Sequence, residues 1–527
     1  MKPFLVFPAS LVFPVFLVFP ASLVFLVFLF FPALSRAASC ESLASLALPN
    51  TTITLAQSVA AAEFTPPGRT FGGTPAPAVD FKALPAFCRI AATLKPSDDS
   101  DIKIEVWLPA SGWNGKFQAV GNGGWAGVIS YGALAEALHD GYATSSTDTG
   151  HVGGSGSFAL GHPEKLIDFG YRSQHEMTVK SKAIIQAFYG SAAKMSYWNG
   201  CSTGGRQGLK EAQRFPDDYD GIIAGAPANP RTHLAFATLW IAHANLKDPA
   251  SYIPPAKYPA VHQAVIQACD ALDGLKDGLI TDPTRCHFDP QVMACHGADT
   301  SECLTAPQIE TVKKILSPSR NPRTGEEIYP GLEPGAELGW ATLAGPQPFA
   351  ATTDHFKYVV FKDPDWDWKT LNFDSDVALA DKIDDETINA TDANLRPFFG
   401  RKGKLLLYHG WADQNVAPLS TVNYYKRVVD TLGGERQTAD SIRLFMAPGM
   451  GHCGGGEGPN TFDMMSAITA WRENGQAPDR IVASRTGRTR PLCAYPQVAT
   501  YKGTGSIDDA RNFVCQVETE PRPSASR

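Results

Sequence analysis

The nine residues YWNGCSTGG, positions 197–205, place a serine between glycines and directly after a cysteine. Gly200, Ser202 and Gly204 fit the pattern G-x-S-x-G, which carries a nucleophilic serine at a sharp turn from strand to helix. Small residues are needed on both sides because the strand and the helix pass very close to each other. The flanking stretches KMSYW and RQGLKEAQRF are typical of a strand and a helix. The sequence therefore predicts that the Ser202 hydroxyl projects above the edge of a sheet.

A nucleophilic serine needs a general base, and that base needs an orienting carboxylate. In this arrangement the three residues follow in the order Ser, Asp, His, at the ends of successive strands. Asp413 comes just after the apolar stretch 405–408, and His452 comes just after 442–447 in a glycine-rich loop. Taken alone, Asp413 could be a turn residue, and His452 is one of twelve histidines. Their order and placement favour a triad with Ser202 as nucleophile.

Two cysteines flank this candidate triad. Cys201 directly precedes Ser202, and Cys453 directly follows His452, so bringing serine and histidine together also brings the cysteines together. We therefore predict a Cys201–Cys453 disulfide that holds the base beside the nucleophile. The alternative is that Cys201 is itself the nucleophile, as a thiolate. The presence of Cys453 as a disulfide partner and the apolar amino terminus, which is typical of an exported protein, argue against this alternative.

Strand and helix patterns alternate on either side of the motif, which is typical of a mostly parallel sheet covered on both faces. Strands are predicted within 102–109, 116–124, 139–150 and 219–227. A helix is predicted over 173–190, with Ser173 as its cap and Gly190 at its end.

This alternation stops after residue 227 and resumes at GKLLLYHGWAD, residues 403–413. The intervening stretch is rich in prolines, aromatic residues and cysteines, which indicates an inserted, disulfide-stitched subdomain. The predicted organisation is a signal peptide over 1–38, a first core segment over 39–227, an inserted lid over 228–398 and a second core segment over 399–527.

The composition of the 527 residues is ordinary for a folded protein, with 44% hydrophobic and 19% charged residues. The formal net charge is -7, and no cluster of lysines and arginines is present, so nucleic acid is excluded as an expected partner.

The first forty residues differ from all that follow. One lysine precedes a long apolar run with repeated LVFPAS units, and small residues around SRAA, 35–38, offer a cleavage site. Because the run is longer than the usual ~7–15 residues of a signal core, a retained membrane anchor is the alternative. The prolines at positions 8, 14, 20 and 32 disfavour a straight spanning helix. We therefore expect secretion, with no membrane association after the signal is removed.

Ten cysteines, all at or beyond position 40, suggest disulfides formed in an oxidising compartment. Short spacings favour pairing of Cys269 with Cys286, of Cys295 with Cys303 and of Cys493 with Cys515, although sequence alone does not fix the connectivity. A zinc site is disfavoured because the chain has no CxxC pair.

The motifs GCSTGGRQG, YHGWAD, PGMGHCGGG, CDALDGLKDG and RPLCAYPQVATYKGTG resemble the tannase and feruloyl esterase family, which also contains bacterial hydrolases of mono(2-hydroxyethyl) terephthalate. The resemblance extends over residues 40–515. It implies a disulfide-rich α/β-hydrolase fold with a large inserted lid, and a triad of Ser202, Asp413 and His452. It also implies an oxyanion hole formed by the backbone N–H groups of Gly124 and Thr203. The implied disulfides are Cys40–Cys88, Cys201–Cys453, Cys269–Cys286, Cys295–Cys303 and Cys493–Cys515.

The stretch CDALDGLKDGLITD carries three aspartates interleaved with glycines, and such hard oxygen ligands suit Ca²⁺. It is not an EF-hand, and on its own a solvated acidic loop is the better interpretation. The resemblance implies a structural calcium site in the lid, and it implies no organic cofactor. The implied ligands are Asp270, Asp273 and Asp277 with the carbonyls of Leu275 and Leu279.

Aromatic residues of the insertion are candidates for packing against an aromatic acyl group, although ordinary lid core is the default interpretation of any one of them. These are Phe356, Tyr358, Trp366 and Trp368. Relatives acting on the terephthalate monoester hold its carboxylate with a lid arginine. The corresponding stretch TTDHFKYVVF has His355 and Lys357 but no arginine, which counts against that specificity.

We therefore expect a secreted serine esterase that releases a hydroxycinnamic or gallic acid from a small or polysaccharide-linked ester. Alternatives are a terephthalate monoesterase, a secreted serine peptidase, or a calcium-binding module with a decayed site. The alcohol of the ester, the oligomeric state and glycosylation of the sequons at Asn50 and Asn389 stay open.

Overall fold

The computed structural model describes residues 38–67 and 79–517. Residues 1–37 of the predicted signal peptide lie outside this part of the chain. None of the helices in the described ranges is both long and apolar enough to cross a membrane.

The strands of the described chain are β1 (Thr51–Val59), β2 (Phe87–Leu94), β3 (Ile102–Pro109), β4 (Lys116–Val120), β5 (Ala143–Thr147), β6 (Met195–Cys201), β7 (Gly221–Gly225), β8 (Ser319–Arg320), β9 (Glu327–Tyr329), β10 (Lys404–Gly410), β11 (Ile442–Ala447), β12 (Arg480–Arg485), β13 (Arg488–Cys493), β14 (Gln497–Tyr501) and β15 (Phe513–Val517). Nine of them form one sheet, in the order β1-β2-β3-β5-β4-β6-β7-β10-β11. Neighbours are antiparallel from β1 to β5 and parallel from β5 to β11.

The α-helices lie between and after these strands. They are α1 (Tyr131–His139), α2 (Pro163–Ile167), α3 (Ser173–Tyr189), α4 (Thr203–Arg214), α5 (Arg231–Leu246), α6 (Tyr258–Cys269), α7 (Ala306–Leu316), α8 (Ala350–Asp354), α9 (Asp376–Asp384), α10 (Arg396–Gly400), α11 (Pro418–Thr431), α12 (Glu435–Thr438) and α13 (Met464–Asn474).

Both faces of the sheet are covered. Adjacent residues of β6, β7 and β10 pack into different hydrophobic clusters, as expected where side chains alternate between the two faces. One cluster contains Trp198, Ile222 and Leu407 with Ile184 of α3 and Leu209 of α4. The other contains Tyr197, Ile223 and Leu406 with Ile468 of α13. This arrangement confirms the predicted α/β-hydrolase fold.

The segment between β7 and β10 contributes no strand to the main sheet. It consists of helices α5 to α10, several single helical turns and the small β8–β9 hairpin. It has its own hydrophobic clusters, one of which also includes Val416 and Ala417 from beyond β10. Val416 and Ala417 directly follow the Asp413 turn, so the insertion packs against the part of the chain that carries this aspartate.

The structure contains all five predicted disulfides. Their sequence separations range from 8 to 252 residues. Cys201–Cys453 joins β6 to the loop after β11, with a Cα–Cα distance of 6.0 Å. The others are Cys40–Cys88, Cys269–Cys286, Cys295–Cys303 and Cys493–Cys515.

The helix predicted over 173–190 is present as α3, but the predicted cap is wrong. Ser173 is not a cap, because helical backbone begins at Pro163 and continues through the turn Asp168–Arg172 into α3. The Ser173 hydroxyl is buried and makes no cap hydrogen bond. Gly190 does end the helix, and its left-handed conformation (φ 71°) explains the glycine there.

Candidate active site

Ser202 lies at the tip of a tight turn between β6 and α4. Its backbone has φ 62° and ψ -120°, a conformation that a side-chain-bearing residue rarely adopts. Its N–H donates to the carbonyl of Gly225 (2.9 Å), and its carbonyl accepts from the N–H of Ala228 (3.1 Å). A Cβ on Gly200 would lie 2.6 Å from the backbone of Gly204, so the glycines permit the close passage of strand and helix. The predicted strand–serine–helix geometry is therefore present.

Asp413 follows β10 and is completely buried (0% exposed). Its Oδ1 accepts the backbone N–H groups of Asn415 (2.7 Å) and Val416 (2.9 Å). Its Oδ2 accepts from His452 Nδ1, which lies 2.7 Å away. Burial alone would raise the pKa of this carboxyl, but His452 and His409 outweigh it and hold the pKa well below its usual range. The structure thus brings together the predicted carboxylate and the predicted base.

His452 lies in the loop after β11, and its side chain is 13% exposed. Since Asp413 occupies Nδ1, Nε2 is the ring nitrogen left to face a serine. The backbone N–H of His452 also contacts the amide oxygen of Gln414 (3.3 Å), next to Asp413. The Cys201–Cys453 disulfide links the residues adjacent to Ser202 and His452. The turn and the loop are therefore covalently joined at the point where a serine and its base must meet.

The loop 121–125 is tied to the start of α4. The carbonyl of Asn122 accepts the N–H of Gly204 (2.8 Å), and the carbonyl of Gly124 accepts the Thr203 hydroxyl (2.9 Å). Gly124 has φ +54°, which favours glycine at this position. Gly124 and Thr203, the residues expected to supply the oxyanion hole, are thus adjacent.

Sequence analysis missed His409, a second histidine on Asp413. Its Nε2 lies 2.9 Å from Asp413 Oδ2, the same oxygen that His452 contacts. The only signal in the sequence is a histidine within the apolar stretch LLLYHG, 405–410, where a buried polar side chain needs a partner.

A cavity of about 310 Å³ borders His452 and the inserted segment. At its rim, His262 of α6 contacts two carboxylates: Nδ1 lies 2.8 Å from Glu337, and Nε2 lies 2.8 Å from Glu457. Burial opposes a charge on His262, but the two glutamates outweigh it and raise its pKa. Glu457 belongs to the loop that carries His452. The contact between His262 and Glu457 therefore connects the insertion to the candidate site.

In the loop predicted to bind calcium, Asp270 and Asp277 lie near enough to Asp273 to repel its charge. Burial, together with Asp277 and Asp270, raises the pKa of Asp273. Gly274 (φ +87°) and Gly278 (φ +79°) supply the turns. Asp277 also forms an ion pair with Arg490 on β13. Three carboxylates with loop carbonyls fit the oxygen donor set of a hard cation, although a cation would have to share Asp277 with this arginine.

The aromatic residues of the insertion pack largely against one another. Phe356 is completely buried (0% exposed), and its ring stacks on Trp366 at 5.6 Å. Trp368 contacts His243 (5.0 Å) within the same cluster. These contacts are those of a hydrophobic core within the inserted segment. His355, in the stretch where an arginine was sought, is also buried, which lowers its pKa to about 3.

The family model described as tannase and feruloyl esterase matches residues 88–516. The chain is 41% identical to an uncharacterised esterase of Xanthomonas campestris, over 91% of this chain and 92% of the relative. It is 37% identical to a probable feruloyl esterase B-2 of Aspergillus terreus, over 81% of this chain and 86% of the relative. The crystal structure of feruloyl esterase B from Aspergillus oryzae superposes with a TM-score of 0.84 at 33% identity, covering 90% of this chain and 99% of that one. The chain therefore belongs to the tannase and feruloyl esterase family, a family of carboxylic ester hydrolases.

Proposed function

We propose that this protein is a serine esterase that releases a hydroxycinnamic or gallic acid from its ester. The observation that carries the proposal is the hydrogen bond between buried Asp413 and His452 (2.7 Å), in a loop joined through Cys201–Cys453 to the strained Ser202 turn. The relatives named as feruloyl esterases support the choice of an aromatic acyl group.

In the proposed reaction, Ser202 Oγ attacks the ester carbonyl while His452 Nε2 takes the hydroxyl proton. Asp413 holds the Nδ1–H side of the ring and stabilises the imidazolium that forms. The N–H groups of Gly124 and Thr203 stabilise the negative oxygen of the tetrahedral intermediate. His452 then gives its proton to the leaving alcohol, and an acyl-enzyme remains on Ser202. Water, deprotonated by His452, attacks this ester, releases the acid and restores the serine.

A substrate panel tests this function. We expect methyl ferulate or methyl gallate to be hydrolysed with a higher kcat/KM than mono(2-hydroxyethyl) terephthalate, because the stretch 352–361 has no arginine for a second carboxylate. Ser202→Ala is the control and should abolish all three reactions. Cleavage of peptide substrates in the absence of aryl-ester hydrolysis would instead support a peptidase.

We further propose that the chain is exported and that its signal peptide is removed. The five disulfides support an oxidising compartment. Sequencing the amino terminus of protein recovered outside the cytoplasm tests this: we expect it to begin close to Ala38. Intact residues 1–36 on the recovered protein would contradict signal removal.

We also propose that Asp270, Asp273 and Asp277, with the carbonyls of Leu275 and Leu279, hold a structural Ca²⁺. The ion would offset the repulsion of Asp273 by Asp270 and Asp277, and it would fix the loop that follows α6 and is closed by the Cys269–Cys286 disulfide.

Calcium removal should therefore lower stability. At a Ca²⁺ concentration about a hundredfold above Kd, binding stabilises the folded state by about 2.7 kcal/mol, so the melting temperature should fall on chelation and recover on addition of Ca²⁺. The double variant Asp270→Asn, Asp273→Asn should lose this response, whereas Asp363→Asn, at an exposed aspartate elsewhere in the insertion, should keep it. An unchanged melting temperature together with no calcium by elemental analysis would refute the site.

A further inference from the structure

His409 is the fourth residue before Asp413, and its side chain is completely buried (0% exposed). Its Nε2 lies 2.9 Å from Asp413 Oδ2 and 3.0 Å from the carbonyl oxygen of Val416. Its Nδ1 lies 2.7 Å from the hydroxyl of Thr421 on α11. Both partners of Nε2 are acceptors, so the hydrogen-bond network assigns a proton to Nε2. His409 thus donates to Asp413 through Nε2.

Asp413 is consequently held by four donors. Two backbone N–H groups hold Oδ1, and two imidazoles share Oδ2. The backbone donors come from the turn that follows Asp413, whereas His409 comes from the strand before it and is itself held by α11. Of the two donors to Oδ2, His409 is enclosed by protein, whereas His452 lies on a loop and must take up and release a proton. The position of Oδ2 is therefore defined by His409 while His452 changes its charge.

We propose that His409 is a positioning residue of the candidate triad, because its Nε2–H fixes the oxygen of Asp413 that orients His452. This role rests on the proposed esterase function, since His409 acts only through Asp413 and His452 and touches no reacting atom. Losing this donor should slow the proton transfers made by His452 and leave binding of the ester almost unchanged.

The test compares two substitutions in the full-length enzyme, with concentrations corrected by active-site titration. His409→Leu should lower kcat by about tenfold to a hundredfold, with KM within about twofold of the wild type. The rate at which a fluorophosphonate labels Ser202 should fall by a similar factor. His409→Gln keeps an N–H donor near the position of Nε2 and should restore kcat to within about threefold of the wild type. A merely structural role would not produce this difference at equal folded fraction.

His233→Leu is the matched control. His233 also contacts a carbonyl, that of Ile328, through Nδ1 and an aspartate, Asp381, through Nε2, each at 2.9 Å, but it lies in α5 of the insertion. Its loss should leave kcat per titrated site unchanged. If His409→Leu does not fold, Thr421→Val loosens the same ring and should lower kcat to a smaller extent.

The proposal is overturned if His409→Leu has the wild-type kcat per titrated site. The same result in Thr421→Val overturns it where that variant has to be used. Equal losses in the leucine and glutamine variants also overturn it, because they would show that donation to Asp413 is immaterial. Failure of the esterase function has a different signature, since the wild type itself would neither hydrolyse aryl esters nor react with the fluorophosphonate.

Discussion

Replacing Asp413 with asparagine should lower kcat about 10⁴-fold while leaving the fold intact. Asp413 Oδ2 accepts from His452 Nδ1 at 2.7 Å, and both oxygens of this buried carboxylate are occupied by donors. An asparagine amide presents N–H to at least one of these donors, so His452 is left in the wrong tautomer or orientation to accept a proton from Ser202. The measurement is steady-state hydrolysis of methyl ferulate, with circular dichroism to establish folding.

Asp381→Asn provides the control for this substitution. Asp381 also binds a histidine, with His233 Nε2 at 2.9 Å, but both residues lie in the inserted segment. We expect its kcat to match that of the wild type. A kcat for Asp413→Asn within a few-fold of the wild type would show that the Asp413–His452 pair does not serve the reaction.

Removing the Cys201–Cys453 disulfide should damage both stability and catalysis. The bridge closes 252 residues, and disulfides typically stabilise the folded state by about 2–4 kcal/mol. It also joins the residues next to Ser202 and His452, so the double variant Cys201→Ala, Cys453→Ala should lose kcat by roughly tenfold or more, even with all three candidate residues present. Melting temperature and kcat per titrated active site measure the two effects separately.

The bridge Cys295–Cys303 offers a comparison within the same chain. It closes only 8 residues in the inserted segment. The variant Cys295→Ala, Cys303→Ala should lose some stability and keep its kcat. An unchanged kcat and melting temperature in the Cys201→Ala, Cys453→Ala variant would refute the proposed role of the disulfide beside the triad.

The sequence predicted the parts of this site that depend on chain order. Ser202, Asp413 and His452 each follow a strand of the parallel half of the sheet, and the carboxyl ends of parallel strands meet at one edge of a sheet. Their residue types then indicate the chemistry. The same argument places Cys201 beside Cys453, because Cys201 precedes Ser202 and Cys453 follows His452, and a nucleophilic serine must lie close to its base. The parallel half of the sheet was predictable for the same reason.

Other features depend on contacts between segments that are distant in the sequence. The spacing of residues along the chain does not show such contacts. In the sequence, His409 is one polar residue in an apolar strand. Its role becomes visible only in the structure, where it forms hydrogen bonds with Thr421 on α11 and with Asp413. The bridge from Glu337 through His262 to Glu457 joins three separate parts of the chain. Ser173 has the residue type of a cap, but the turns that precede it are already helical. The antiparallel strand β1 precedes the first strand that we predicted.

The central claim is that Ser202 carries the acyl group during turnover. The most direct measurement is the mass of the enzyme quenched during hydrolysis of an activated ferulate ester, followed by peptide mapping. We predict an added feruloyl mass on the peptide that contains Ser202, and no such adduct in Ser202→Ala, which should also be inactive. An adduct on another residue, or wild-type hydrolysis by Ser202→Ala, would contradict the account.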